Sequence, residues 1–341
     1  MKHDRRCLLV CEGFTNSAQI FGRLLRDVFV DVEVIDVKGL CGRSLGDEHV
    51  IFLRVSHPQW RWVVDYLRER RLSFDYLIDD NFYEISSRVD PHNGPLYDHP
   101  ATHAALTHYI ANARTTIVFS HPFADEIRRR VPGANVRYVS PPVDLALFDR
   151  YCGARSQHNE GILRVGYATT PRAWLSPFIT EIVRQTVARL GERVEFDLMG
   201  WWPSELASHS RVRTFDAISD YEAYVRFVAD RGWDIGISPL GDSLFENCKT
   251  NNKFREYGAA RIPAIYSDVP LYRSCVQHGV TGWLEPNDPL TWSSRIASLA
   301  TNRDLIQRVA DAAYHVVASE YPQPVSASAL AQALNMTVGV K

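Results

Sequence analysis

Residues Phe245–Tyr272 read FENCKTNNKFREYGAARIPAIYSDVPLY, a polar patch rich in lysine and asparagine that turns into an apolar run at Ala264–Ser267. Lys249, Asn252, Lys253 and Glu256 fall at i, i+3, i+4 and i+7, which predicts one shared face of a helix centred on Asn252–Ala260. Phe254, Tyr257 and Ile262 fall outside that face and are expected to pack on a sheet. A β-rich run, Asp234–Ser238, precedes the stretch, and strand, helix, strand in this order implies parallel pairing. In open parallel sheets ligands bind beyond the carboxyl ends of the strands. Unpaired amides at the start of this helix, its dipole and two lysines suit a pyrophosphate, and a carboxylate one turn deeper suits a ribose diol. The plainer reading is a solvated polar face with a Lys253–Glu256 pair; the position after a buried strand and the density of asparagine favour the ligand site.

Outward from this stretch, short β-rich runs alternate with amphipathic segments over nearly the whole chain. The expected strands before it are Cys7–Cys11, Val32–Val37, Val50–Val55, Tyr76–Ile78, Thr116–Phe119 and Val136–Val139, then Leu163–Tyr167, Glu195–Met199 and Val212–Phe215. After it come helices Leu271–His278, Pro289–Leu299 and Arg303–Ser319, with a short strand at Gly282–Leu284. The pattern predicts an α/β protein of two doubly wound, Rossmann-like domains facing a cleft. The 341 residues suit two domains. Pro141–Gly161 reads as the linker, dividing the chain into 1–155 and 156–321, and the segment 322–341 has the pattern of a helix that could return to the first domain.

A net charge of −2 lacks the basic excess of a protein built to grip a phosphate backbone, so no nucleic-acid partner is expected. Six scattered cysteines show neither disulfide density nor paired CxxC spacing and read as reduced thiols. The opening MKHDRRCLLVCEG is too short in its apolar run for a signal peptide, and no stretch approaches a membrane span, so a cytoplasmic location is expected. Basic runs at Arg54–Arg71 and Arg128–Arg130 leave peripheral contact with a membrane face open, although solvated helix faces explain them better. The oligomeric state is not legible.

Other candidate site residues lie at strand ends. After Leu163–Tyr167, Gly166 allows close backbone approach, Thr169 and Thr170 carry hydroxyls, and Arg172 can take a phosphate oxygen bidentately; a Thr-Thr-Pro turn capping the next helix explains the hydroxyls equally. The loop Asp216–Ser219, with Ile218, could face a nucleobase or be a plain helix entry. In the first half, YLIDDNFYE ends a strand with Asp79, Asp80 and Asn81, which could hold a divalent metal or accept bonds from acceptor hydroxyls, against a capping role. GFTNS, with Asn16, closes the first strand but is no dinucleotide fingerprint. His57, His99 and His121 are candidate general bases, although each taken singly reads more readily as structural, and the absence of HExxH argues against zinc.

The segments DIGISPL (234–240), KTNNKFREY (249–257), IPAIYSDVPLY (262–272) and HGVTGWL (278–284), with Trp292, together resemble the donor domain of GT-B-fold glycosyltransferases of the "glycosyl transferases group 1" type. RVGYATT and FDLMGW extend the resemblance over roughly 164–317, and YVSPPVDLALF resembles the family's interdomain junction. The resemblance implies two Rossmann-like domains, donor bound mainly by the second and acceptor by the first. In the family's E-x7-E motif the second Glu binds the donor ribose, which here is Glu256; the first, facing the transferred sugar, falls on Cys248. Lysine-rich branches of the family carry a C-K form instead, which would set Asn251 and Asn252 beside the sugar or diphosphate and make Arg172 and Lys253 its cations. The implied activity is transfer of a hexosyl group from a nucleotide sugar to a glycan or lipid-linked hydroxyl, with retention, no metal and no cofactor. A sugar-nucleotide epimerase or hydrolase on the same scaffold, and a non-catalytic ligand-binding module, are the alternatives.

Overall fold

A computed structural model describes residues 3–87, 90, 93–152 and 161–335 of the chain. It divides into two units: Met1–Pro142 with Asn247–Thr250 and Pro322–Lys341, and Val143–Glu246 with Asn251–Tyr321. Each is built on a six-stranded parallel sheet.

The strands of the first unit are β1 (His3–Cys11), β2 (Phe29–Asp36), β3 (His49–Leu53), β4 (Phe74–Ile78), β5 (Thr116–Val118) and β6 (Val136–Tyr138). Their order is β2-β1-β3-β4-β5-β6, every neighbour parallel. Helices on both faces leave β3 and β4 buried along their whole length, which is why they read as apolar runs without alternation. The helices Asn16–Val28 and Gln323–Ala333 pack together in this unit, Ala327, Leu330 and Ala331 joining Phe21, Leu24 and Leu25 in one core. The segment Asn247–Thr250 belongs here as well, although the chain on either side of it belongs to the second unit.

The second unit has β7 (Leu163–Ala168), β8 (Val194–Met199), β9 (Val212–Phe215), β10 (Ile235–Ser238), β11 (Ala264–Ser267) and β12 (Trp283–Glu285), in the order β12-β11-β10-β7-β8-β9. Its core unites Val165, Phe196, Ile235, Ile265, Trp283 and Trp292 with the helices Ser176–Leu190 and Pro289–Leu299. Both sheets therefore reverse their winding once, between β1 and β3 and between β7 and β10. At such a switch point the helices diverge and leave a crevice outside the carboxyl ends of the two strands.

The expected linker over Pro141–Gly161 contains a helix, Leu145–Cys152, which packs in the second unit through the Tyr151 hydroxyl, 2.8 Å from Glu222. Residues 153–160 of that linker lie outside the described residues. The expected helix Leu271–His278 is a single turn, Pro270–Arg273. It stops because Gly279 takes φ 75° in a turn closed by Gly279 N–H to Gly282 C=O, and the His278 ring bonds the backbone of Leu284. No helix among the described residues is long and apolar enough to cross a membrane.

Candidate functional site

The carboxyl edge of the second sheet is assembled from loops that bond one another. Thr169 N–H donates to Met199 C=O at 2.9 Å and Gly200 N–H to Phe215 C=O at 2.8 Å, so the exits of β7, β8 and β9 are locked side by side. Gly200 sits at φ 83°, and a Cβ there would lie 2.2 Å from the Thr169 carbonyl oxygen, so only glycine lets these exits meet. Ile218, half-buried, follows β9 in the loop before Asp220, which caps the next helix by accepting from Ala223 N–H.

At the β7 exit the Thr169 hydroxyl accepts from Arg172 Nε at 3.0 Å and donates to the Thr170 carbonyl at 3.0 Å. The next helix, Ser176–Leu190, has no side-chain cap, so Thr169 fixes Arg172 and caps nothing. Among the described residues the terminal guanidinium nitrogens of Arg172 have no hydrogen-bond partner, while the guanidinium carbon lies 5.7 Å from the Trp174 ring. Thr170 is exposed. Gly166 differs from its expected part: the approach it permits is that of the Trp233 indole, which a Cβ would meet at 1.9 Å, and no ligand can share that space.

Beyond β10, the helix Asn252–Ala259 carries Lys253 and Glu256. Lys253 Nζ stands 3.0 Å from Glu256 Oε2 and 3.2 Å from the Tyr224 hydroxyl, which also donates to Glu256 Oε2 at 3.1 Å. Only 25% of the Lys253 side chain and 11% of that of Glu256 is exposed, so this is no solvated surface pair. Burial works against the Lys253 charge, but Glu256 and the phenols of Tyr257 and Tyr272 outweigh it and hold the ammonium above its ordinary pKa. Burial raises the phenols of Tyr167 and Tyr272, and Arg172 and Lys253 pull both down. Lys253 Nζ lies 5.7 Å from the centre of the Tyr257 ring, and the Tyr257 hydroxyl accepts from Ala168 N–H at 3.3 Å, at the end of β7. Tyr272 bonds Ser238 Oγ at 2.6 Å, whereas the buried Tyr167 hydroxyl has no partner among the described residues.

The expectation that Lys249 shares the Lys253 face fails, because the helix starts at Asn252 and the residues before it leave its axis. Lys249 belongs to the first unit, where its ammonium lies 3.0 Å from Asp80 Oδ1. Cys248, placed by the resemblance beside the transferred sugar, is wholly buried in that same segment, 3.5 Å from Asn81 Nδ2. Burial, more than any neighbour, pushes its thiol up to about 11. Asn251 spans Tyr321 and Arg255: its Nδ2 donates to the Tyr321 hydroxyl at 3.1 Å and its Oδ1 accepts from Arg255 Nε at 2.9 Å, while Asn252 Oδ1 takes another Arg255 nitrogen. Both asparagines thus position Arg255.

Sequence reading passed over Glu246. It is 5% exposed and accepts from Gly241 N–H at 2.8 Å, Ser243 N–H at 3.2 Å and Ser243 Oγ at 2.7 Å, clamping the loop after β10. A Cβ on Gly241 would lie 2.3 Å from Glu246 Oε2, so Gly241 is the signal in the sequence that could have exposed the clamp. Tyr167, Tyr224 and Tyr272 were hidden among ordinary core aromatics.

In the first unit Asp79 and Asp80 are committed to cations of the chain itself. Arg54 Nε lies 3.1 Å from Asp79 Oδ1 and its NH2 3.1 Å from Asp80 Oδ2, with Lys249 on the other Asp80 oxygen. Ser17 Oγ donates to Asp79 at 2.8 Å and accepts from Arg54 at 3.0 Å. Burial raises the Asp79 carboxyl and Arg54 counters it. Arg54 adopts φ 61°, a left-handed conformation that costs a non-glycine residue about 1–2 kcal/mol, held by these ion pairs and by Phe82 beneath the guanidinium. Among the described residues no group of three His, Cys, Asp or Glu side chains is arranged to hold a metal. Asn81 is fully buried.

His57 Nδ1 accepts from Gln59 N–H at 3.2 Å, and His99 Nδ1 caps its helix by accepting from Ala101 N–H at 3.1 Å. His121 stacks on Tyr138 with ring centroids 3.7 Å apart. Asn16 is exposed at the start of the first helix. His57 borders a cavity of about 380 Å³ also lined by Cys11, Glu12, Asp36, Lys38 and Trp60.

No family model matches the sequence, and no curated protein matches it significantly. Solved structures do share its fold. A sucrose-phosphate synthase from Thermosynechococcus elongatus is 13% identical over 97% of this chain and 98% of its own, with a TM-score of 0.71. Anabaena HepE, solved in complex with UDP and glucose, is 12% identical over 97% of this chain and all of its own, with a TM-score of 0.67. TarM of S. aureus, solved with fondaparinux, alpha-GlcNAc-glycerol and UDP, matches at 13% identity and a TM-score of 0.63, over 84% of this chain but 55% of its own length. The architecture is the GT-B fold of two Rossmann-like domains.

Proposed function

We propose that the chain is a nucleotide-sugar-dependent glycosyltransferase, moving a hexosyl group from a nucleoside diphosphate sugar to the hydroxyl of a glycan or lipid-linked acceptor, in the cytoplasm, for polysaccharide or glycan assembly. The observation that carries this reading is that Lys253 stands over the ring of Tyr257, whose hydroxyl accepts from Ala168 N–H at the same β7 exit where Thr169 holds Arg172, with Glu256 one helical turn along. UDP in the HepE and TarM complexes makes a uridine donor the first to test.

In this reading Glu256 Oε1, which has no hydrogen-bond partner among the described residues, accepts from the ribose diol. Arg172 is the principal diphosphate cation, because its terminal nitrogens are unspent and Lys253 is half-neutralised by Glu256. As the bond from the anomeric carbon to the diphosphate breaks, its electron pair moves to the phosphate oxygen. Cations fixed before the reaction stabilise that charge without reorganising. The acceptor oxygen bonds to the anomeric carbon on the face the diphosphate leaves, and its proton passes to the departing phosphate oxygen, which gives retention. These residues supply the charge stabilisation without a metal or cofactor.

The test is turnover of a panel of nucleotide sugars with and without hydroxyl acceptors. Product formed only with acceptor, and lost in Lys253→Ala and Arg172→Ala, supports transfer. Complete conversion of donor without acceptor replaces the reading with epimerisation or hydrolysis, and full activity in both variants overturns it.

A further inference from the structure

Lys253 and Glu256 are neighbours on one helix, but the group that fixes both comes from another. Tyr224, on the helix Tyr221–Arg231 that follows β9, brings its hydroxyl to them, and three polar atoms close a triangle. Lys253 Nζ lies 3.0 Å from Glu256 Oε2 and 3.2 Å from the Tyr224 oxygen, which lies 3.1 Å from the same Oε2. An ammonium only donates and a carboxylate only accepts, so the phenol accepts from Lys253 and donates to Glu256. Burial, and after it the facing Glu256 carboxylate, raises the Tyr224 phenol well above its usual value, so the hydroxyl keeps the proton it donates. The Tyr224 side chain is held by packing: the residue is 8% exposed, and its ring centre lies 5.4 Å from the Lys253 ammonium, within cation–π reach.

We infer that Tyr224 is a positioning residue: its hydroxyl holds the Glu256 carboxylate with one oxygen kept for a ribose hydroxyl, and the preference of the site for ribonucleotides over dideoxyribonucleotides depends on it. The triangle spends Oε2 on two donors and leaves Oε1 without a hydrogen-bond partner among the described residues. A lysine three residues before a glutamate on a helix is a flexible pair, because both side chains are long. Without the phenol the carboxylate is free to tilt until both oxygens face the ammonium, and neither is kept for a ligand. With the phenol that tilt breaks a hydrogen bond to a charged group, so the open orientation is the stable one. The inference rests on the donor site proposed above and adds to it the residue that orients its acceptor oxygen.

The test is calorimetric titration of the full chain with UDP, ADP and GDP and with their 2′,3′-dideoxy counterparts, in the wild type and in Tyr224→Phe, well below the lower thermal midpoint. Tyr224→Phe keeps the ring against Lys253 and removes only the oxygen. It is expected to weaken the ribonucleotide that binds by about tenfold, the scale of one hydrogen bond to a charged group, and to leave its dideoxy counterpart within about twofold. Should Tyr224→Phe fail to fold, Tyr224→Met, which fills the space without a donor, carries the same comparison. A merely structural tyrosine would weaken both forms alike. Equal weakening, no weakening, or a wild-type chain that binds both forms equally overturns the inference and leaves the donor site standing. No binding of any of the three nucleotides by the wild type removes the donor site, and the inference with it.

Discussion

Lys249 Nζ and Asp80 Oδ1 lie 3.0 Å apart although 169 positions separate them in sequence, and the lysine reaches its partner one turn before the helix that carries Lys253 begins. Two lysines four residues apart therefore serve different units. Lys249 neutralises an aspartate shared with Arg54, and Lys253 pairs with Glu256.

The Lys249–Asp80 pair is partly buried, with 17% and 26% of the two side chains exposed. Lys249→Met is expected to cost about 1–2 kcal/mol, between the exposed and the buried ranges. A double-mutant cycle with Asp80→Asn, read from denaturant unfolding, is expected to return a coupling of similar size; additive effects would show that the pair contributes nothing.

Arg172→Ala and Lys253→Ala are each expected to reduce turnover about a hundredfold, the loss typical of one preorganised charge donor. Arg172→Lys should recover part of it, because charge remains while the bidentate fork is lost. Glu256→Gln is expected to raise KM for the nucleotide sugar more than it lowers kcat, because a ribose contact is made in ground and transition states alike.

Gly166→Ala is expected to destabilise the second unit by about 3 kcal/mol, since its Cβ would sit 1.9 Å from the Trp233 ring. Trp233 cannot yield freely, because its Nε1 donates to the buried Asp197 at 2.9 Å. Thermal unfolding checks this; a wild-type midpoint would refute the packing argument.

Cys248 is expected to resist alkylation near pH 8 in the folded chain and to react once the chain unfolds, because burial pushes its thiol up to about 11. The linked stability has a definite sign. A thiol whose folded pKa is raised is protonated in the native chain while the unfolded chain ionises, so this contribution is present below about pH 9 and is lost as pH rises toward the folded value. Mass-spectrometric labelling across that range tests both statements.

Leu330 is fully buried against the first unit's core, so Leu330→Ala is expected to cost about 2–5 kcal/mol. The loss should appear in hydrogen exchange of the Asn16–Val28 helix.

Strands such as β3, β4 and β10 were legible because both of their faces are covered, which forces an unbroken apolar run that local sequence displays directly. The same property, read in order along the chain, determined two parallel α/β units and located the polar patch at a strand exit. The helix period placed Lys253 beside Glu256, a contact between residues three apart that needs no distant partner. What only the tertiary structure decided are the meetings of residues far apart in the chain. Lys249 left the helical face because Asp80 offered it an ion pair, Gly166 turned out to yield space to Trp233, and Glu12 became a fixed carboxylate because Ser56 and His57 present their amides to it. Periodicity reports which face of an element is buried, but not which distant side chain fills the space or takes the charge, and at a switch point the lining is gathered from the exits of several strands.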